Sequence, residues 1–318
     1  MGFKKYRANS RRDNVRTERF RWSHIQSAKT LEQSRFVRFR PEMRPILLNY
    51  FGLTPGMTVL EVGCGPDTMA SYLAEGIAPG TVTGIDLDEE FIQRAKTKAN
   101  QSSIPNVSFS VGDAYNLPFE DGCFDAVVSY TGLGVLTDPE VATQEMIRVC
   151  RPGGTISIAE AATGRLGINF LGIDSVLEEE SFPGANRYHE LVQRIQAAVS
   201  DTLISGVGSR RWSPQSVFGL LGKLGVTRIR FNAWGYGTAP DDARVPLEQR
   251  QRLREAEYQS QKEWLEELRE TCQTGISHEE FDELITLTDA RFDWLSNHAA
   301  YDWEAGVSIV VSGMKVTS

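Results

Sequence analysis

From residue 46 onward the chain alternates short β-branched runs with amphipathic stretches of helical length, and this alternation restricts the fold more than any other feature. VLEV (59–62), VTGID (82–86), VSFSVGD (107–113), FDAVVSY (124–130) and GTISIAE (154–160) have strand length, each bounded by Gly, Pro, Asn or Asp. Helices are expected between them over 68–75, 88–100 and 139–149. This rhythm builds βαβ units around a parallel sheet covered on both faces. VTRIRFNAW (226–234) reads as a sixth strand and VSIVVSGMKV (307–316) as a seventh.

Turn chemistry punctuates the pattern. Leu53-Thr54-Pro55-Gly56 feeds the first strand, and Arg151-Pro152-Gly153-Gly154 ends a helix and releases the chain into the fifth. Ser213-Pro214 supplies an N-cap with proline at the first helical position, and Gly225 stands where that helix should stop. Two segments break the rhythm. Residues 165–212 contain a helix with Tyr188, Leu191, Val192, Ile195, Ala198 and Val199 on one face. Residues 240–300 read as two helices, one over about 247–271 and one opening at the capping box Ser277-His278-Glu279-Glu280. The expected organisation is a basic arm and cap over 1–44, an α/β core over 45–164, a cap insertion over 165–212, the end of the sheet over 213–239 with 301–318, and a helical insertion over 240–300.

Charge divides the chain unevenly. The 318 residues hold 34 Lys+Arg against 42 Asp+Glu, a formal net charge of −8, yet residues 1–40 alone carry 12 basic and three acidic side chains. A basic arm on an acidic body suits nucleic acid or anionic lipid. The arm also holds Phe20, Trp22, Ile25, Leu31, Phe36, Val37 and Phe39, more apolar residues than a solvated tail needs, so folding back onto the acidic body is the preferred reading. No stretch approaches the roughly 18 apolar residues of a membrane span, and the first residues lack a secretory apolar run, so a cytoplasmic location is expected. Cys64, Cys123, Cys150 and Cys272 form no C-x-x-C pair, and His24, His189, His278 and His298 form no metal-binding spacing. No metal site is expected.

Open parallel sheets bind ligands outside the carboxyl ends of their strands. The first strand ends in Glu61-Val62-Gly63-Cys64-Gly65-Pro66-Asp67, where Gly63 and Gly65 allow a sharp bend and close approach of a ligand. Asp86, ending the second strand, fits a carboxylate that accepts from two ribose hydroxyls, or else caps the helix that follows. Asp113, after the third strand, suits an adenine amino group, or else shapes an ordinary turn.

The series VLEVGCGP, GIDLDEEFIQRAK, GDAYNLPFEDGCFDAVVS and RVCRPGGTISIAE resembles the class I S-adenosylmethionine-dependent methyltransferases, and most resembles their ubiquinone/menaquinone-type small-molecule branch. The resemblance covers residues 45–160 and, more loosely, the last two strands. It implies a Rossmann-like seven-stranded, mostly parallel sheet whose last strand runs antiparallel beside the fifth. It implies S-adenosylmethionine as cofactor and S-adenosylhomocysteine as product. By that likeness Gly63 and Gly65 lie along the methionine moiety, Asp86 binds the ribose, and Asp113 with Ala114 reads the adenine. Ser129 or Tyr130 would line the transfer site.

Three departures stand out. Asp67 occupies a position where the family usually has glycine, no histidine follows the fourth strand, and the 240–300 helices are additional. Methyl transfer needs a base only when the nucleophile must lose a proton, so no catalytic side chain follows from the pattern. Tyr130, His24 and His189 are the candidates. Trp212, Trp234, Tyr236, Trp264, Trp294, Tyr301 and Trp303 would either line a substrate pocket or pack the cap against the sheet. The expected activity is methyl transfer to an oxygen, nitrogen or carbon of a small molecule. The alternatives are an RNA or protein methyltransferase using residues 1–40, a cofactor-binding protein without turnover, and a nicotinamide-dependent dehydrogenase. The Gly-Asp-Ala and Pro-Gly-Gly steps speak against the last.

Overall fold

The computed structural model describes residues 28, 31, 32, 35, 38–67, 69–161, 182–206, 214–238, 246–271, 275–297 and 304–316. Its seven strands are β1 (Thr58–Val62), β2 (Thr81–Asp86), β3 (Val107–Val111), β4 (Phe124–Tyr130), β5 (Cys150–Ala161), β6 (Thr227–Thr238) and β7 (Glu304–Met314). They form one sheet in the order β3-β2-β1-β4-β5-β7-β6. Neighbours from β3 through β5 are parallel, and β7 runs antiparallel between β5 and β6. Strand order reverses between β1 and β4, which places the ligand-binding crevice of such a sheet at the carboxyl end of β1.

The helices are α1 (Arg44–Phe51), α2 (Met69–Ile77), α3 (Glu89–Gln101), α4 (Pro139–Val149), α5 (Ala185–Gly206), α6 (Pro214–Lys223), α7 (Leu247–Thr271) and α8 (His278–Asn297). Their ends follow their caps. Asp88 accepts from the Glu90 amide at the start of α3, and Asp138 accepts from the Val141 amide ahead of Pro139 in α4. Gly52, at φ 70°, closes α1.

The two-residue period of the strands divides the core between the sheet's faces. Val59, Val128 and Tyr130 pack on one face with Leu47 and Phe51 of α1 and Leu73 and Ile77 of α2. Leu60, Val62, Val127, Ile156 and Ile158 pack on the other with Met146 of α4 and Val217 and Leu221 of α6. A third apolar cluster belongs to α5, α7 and α8, among them Tyr188, Leu191, Leu265, Phe281 and Leu284. At the start of α8 the Ser277 capping box forms: the Glu280 amide donates to Ser277 Oγ at 3.2 Å and the Ser277 amide to Glu280 Oε2 at 3.1 Å.

Two expected boundaries move. β5 begins at Cys150, so Pro152-Gly153-Gly154 lies inside a strand. The register shifts between Phe124 and Ala126, Gly153 takes φ 73°, and a Cβ at Gly154 would fall 2.6 Å from Cys150 Sγ. The glycines thus permit a bulge rather than the expected turn. β6 and β7 are longer than their apolar runs because each completes the other's hydrogen bonding, out to Thr238 opposite Glu304.

Candidate functional site

Asp86 binds the ends of the first three strands together. Its Oδ2 accepts from the Gly65 amide at 2.9 Å, its Oδ1 from the Asp88 amide at 2.9 Å, and its carbonyl from the Gly112 amide at 2.9 Å. The Gly63 and Cys64 amides both donate to the Ile85 carbonyl, at 2.8 and 2.9 Å. Gly63 and Gly65 take φ 74° and 59°, a left-handed backbone that glycine enters without steric cost. The bend, Asp86 and the start of the Gly112-Asp113 turn therefore share one edge of the sheet. Two of the roughly four acceptor sites on the Asp86 carboxylate remain for a ligand.

Asp113 Oδ1 accepts from the Tyr115 amide at 3.1 Å, and Ala114 is half-buried against the α4 face. Tyr115 Oη meets Thr137 Oγ1 at 3.1 Å and accepts from the Asp138 amide, tying the loop after β3 to the loop after β4. Ser129 is buried with its Oγ unbonded, 3.0 Å from where a Gly132 Cβ would stand. Gly132 lies on the glycine bend itself: a Cβ on Gly63 would come within 3.2 Å of Gly132 Cα. The loop after β4 can approach the bend that closely because both residues lack side chains.

Asp67, in the position usually held by glycine, takes φ 66° and is fully buried. Its carboxylate turns into the first turn of α2, accepting from the Ser71 amide at 3.0 Å and from Ser71 Oγ at 2.5 Å. Lys98 Nζ donates to its carbonyl. The left-handed backbone explains the preference for glycine there, and Asp is among the few residues that tolerate it.

Tyr130 ends β4 facing α1 and α2. Its ring lies between Phe39 and Trp234, its hydroxyl shares a 3.0 Å hydrogen bond with Ser308 Oγ, and Arg38 Nη1 donates to it at 3.2 Å. His189 lies on α5, its ring 5.6 Å from that of Tyr188 in the α5–α7–α8 cluster. His24 falls outside the described residues, as do Trp212, Tyr301 and Trp303. Trp234 packs on Phe51 and Tyr130, whereas Trp294 packs against the α5–α7–α8 cluster.

Sequence reasoning missed three residues here. Arg35, in a helical segment of the arm, donates from Nη2 to Thr131 Oγ1 at 2.7 Å and lies over the Tyr130 ring. Its Nη1 would sit 3.6 Å from a Cβ on Gly65, beside Leu31. Glu61 is buried with Oε2 unbonded. Glu160, near the end of β5, is also buried, and Oε1 accepts from the Gly134 amide at 3.2 Å. Nothing local marks these three, because a lone arginine and two strand-end glutamates carry no spacing signal.

The electrostatics are those of an acidic pocket. Burial pushes the Glu61 carboxyl well above the ordinary range, and Asp67 and Asp86 raise it further while Arg35 opposes them. Asp86 is raised by burial against the pull of the Asp88 and Gly65 amides. Burial also raises Asp67, against its Ser71 bonds. Burial raises Glu160 to about 7, with the Gly134 amide and Arg35 working the other way. Conversely, burial lowers the Arg35 guanidinium, and Tyr130, Glu61 and Asp86 help to keep its charge. A buried acidic cluster facing one guanidinium favours a ligand that brings further positive charge.

Comparison with known proteins agrees with this geometry. Residues 60–158 match the family model described as a methyltransferase domain. An uncharacterized 37.1 kDa protein in transposon TN4556 of Streptomyces fradiae is 34% identical over 128 residues, 40% of this chain and 36% of that protein. The demethylmenaquinone methyltransferase of Staphylococcus aureus is 36% identical over 126 residues, 39% of this chain and 52% of the enzyme. The similarity thus spans from 36% to 52% of the length of these relatives. The crystal structure of the YcgJ protein from Bacillus subtilis matches with a TM-score of 0.50 at 15% identity, covering 88% of this chain and all of that one, a likeness of fold. Residues 60–158 thus match a methyltransferase domain, and the sheet order with the motifs at the ends of β1, β2 and β3 is that of the class I S-adenosylmethionine-dependent methyltransferase fold.

Proposed function

We propose that the protein transfers a methyl group from S-adenosylmethionine to an oxygen, nitrogen or carbon nucleophile of a small molecule. The observation that carries this reading is the linkage of the glycine bend, Asp86 and Gly112-Asp113 at one sheet edge, through the Gly65 and Gly112 amides. The residues fit the cofactor. The unbonded Glu61 Oε2 suits an ammonium group, the free acceptor sites of Asp86 suit two ribose hydroxyls, and Arg35 beside Gly65 suits the methionine carboxylate. Asp113 and Ala114 would border the adenine. When bound, the cofactor supplies a methyl group already activated by a sulfonium, so this chain's own task is to position the nucleophile and exclude water.

The described residues of the arm face the protein's own core. Arg35 and Arg38 turn inward to Thr131 and Tyr130, Arg44 pairs with Glu75 at 2.5 Å, and Glu32 pairs with Arg94 at 2.9 Å. Ala28 and Leu31 pack on Phe91 of α3. These described residues of the arm lie against α2, α3 and the loop after β4, on the cofactor side of the sheet.

Calorimetric titration with S-adenosylmethionine, S-adenosylhomocysteine and a nicotinamide dinucleotide tests the cofactor. Binding of the first two and not the third is expected, and the reverse would refute the reading. Incubation with methyl-labelled cofactor and a metabolite extract, followed by mass spectrometry, should give a small product heavier by one methylene. Label carried only by RNA or protein would favour the macromolecular alternative.

A further inference from the structure

The loop that follows β4 touches three parts of the site within four residues. Thr131 holds Arg35, Gly132 lies on Gly63, and the Gly134 amide holds Glu160 Oε1. The Thr131 amide donates to the Ala159 carbonyl at 2.8 Å, which sets this loop beside the end of β5 where Glu160 stands. Glu160 is therefore separated from the glycine bend by the width of one short loop. Gly134 leaves it room: a Cβ there would stand 3.2 Å from Oε2. Among the described residues, the Gly134 amide is the single hydrogen-bond donor to this carboxylate, and Arg35 is the single charged group acting on it. Its neighbour across the sheet on β7 is the apolar Ile309. One carboxylate oxygen is anchored and the other is uncommitted.

We propose that Glu160 is the proton acceptor of the methyl transfer, and hence that the substrate's nucleophile bears a hydrogen it must lose. This rests on the methyltransferase reading given above. In the step, a bond forms between the nucleophile and the methyl carbon, and the carbon–sulfur bond breaks with its electron pair left on sulfur. The proton leaves the nucleophile for Glu160 Oε2 and passes to water once product departs. A carboxyl that titrates near neutrality is half ionised at working pH, which suits a general base. The Gly134 amide anchors Oε1 and leaves Oε2 beside the loop after β4, whose Gly132 lies on the glycine bend.

Glu160→Gln is the informative change, because the amide oxygen of glutamine still accepts from Gly134 while the titration is lost. Calorimetry of S-adenosylmethionine binding at pH 7, in buffers of different ionisation enthalpy, should show the wild type releasing roughly half a proton as the cationic ligand lowers the carboxyl's pKa. Glu160→Gln should bind within about threefold and release fewer protons by that amount. With the labelled product of the extract assay as readout, the variant's rate should fall by about 10²–10⁴-fold and the acidic limb of its pH profile should vanish. Glu160→Asp, which restores a titrating group, should restore that limb. Equal proton release by wild type and Glu160→Gln, or transfer by the variant at an unchanged rate and profile, would overturn the proposal. A wild-type protein with no affinity for S-adenosylmethionine would instead overturn the methyltransferase reading, and it would do so before any variant is compared.

Discussion

Arg35 donates to Thr131 Oγ1 at 2.7 Å across 96 positions of sequence, and this contact holds the Arg35 segment at the loop after β4. The guanidinium is buried beside Glu61 and Asp86, so its charge offsets theirs in a place where water screens little. Arg35→Gln should therefore weaken binding of S-adenosylmethionine and S-adenosylhomocysteine alike, since both carry the carboxylate assigned to it. A charge-assisted hydrogen bond of this kind is worth about 1.5–3 kcal/mol, roughly 10- to 150-fold in affinity. Calorimetry reads it, and an unchanged dissociation constant for both ligands would remove Arg35 from the site.

Asp67 offers a test of backbone strain against capping. At φ 66° an alanine loses the two bonds to Ser71 and also pays about 1–2 kcal/mol for a left-handed conformation, whereas a glycine loses only the bonds. Stability in urea should fall in the order wild type, Asp67→Gly, Asp67→Ala. An alanine variant as stable as the glycine variant would show that the left-handed backbone relaxes at no cost.

Glu160 links stability to pH. Its folded pKa of about 7 lies above the ordinary 4.5, so the native state holds the proton more tightly than the unfolded chain does. Its contribution is most favourable below about pH 4.5, is lost as pH rises, and is fully lost above about pH 7, a swing of about 3 kcal/mol. Glu160→Gln should thus be more stable than wild type at pH 8 by about that amount, and the advantage should disappear at pH 4.5. Thermal melts at the two pH values check the sign. A variant equally destabilised at both would mean that Glu160 is ionised and well solvated in the native protein.

Tyr130 separates packing from catalysis. Its hydroxyl is committed to Ser308 and Arg38, and its ring to Phe39 and Trp234. Tyr130→Phe should keep the ring contacts, leave the Ser308 hydroxyl short of a partner, and cost about 1–3 kcal/mol in unfolding free energy. Cofactor affinity should change less than threefold. Loss of methyl transfer with stability intact would instead return Tyr130 to the reacting atoms.

The strands, the glycine bend and the helix starts were legible in the chain because each is governed by neighbours in sequence. Alternating side chains betray a strand, as in Phe124–Tyr130. A left-handed turn asks for glycine, as at Gly63, and a capping box announces a helix, as at Ser277. The β5 start was misread for the same local reason. Pro152-Gly153-Gly154 has the chemistry of a turn, and its pairing with β4 makes it a bulge instead.

What the tertiary structure alone decided is which charges are buried together. Arg35 meets Thr131, Glu160 meets Gly134, and Glu61 lies among Asp67, Asp86 and Arg35 only after the sheet and its loops have closed. Local conformation depends on a few adjacent dihedrals, and those are written in order along the chain. Desolvation and Coulomb energy depend instead on the surrounding volume, filled by residues that sequence order does not place side by side. The frame of this site could accordingly be read from the residues in line, while its acid–base character came from the fold.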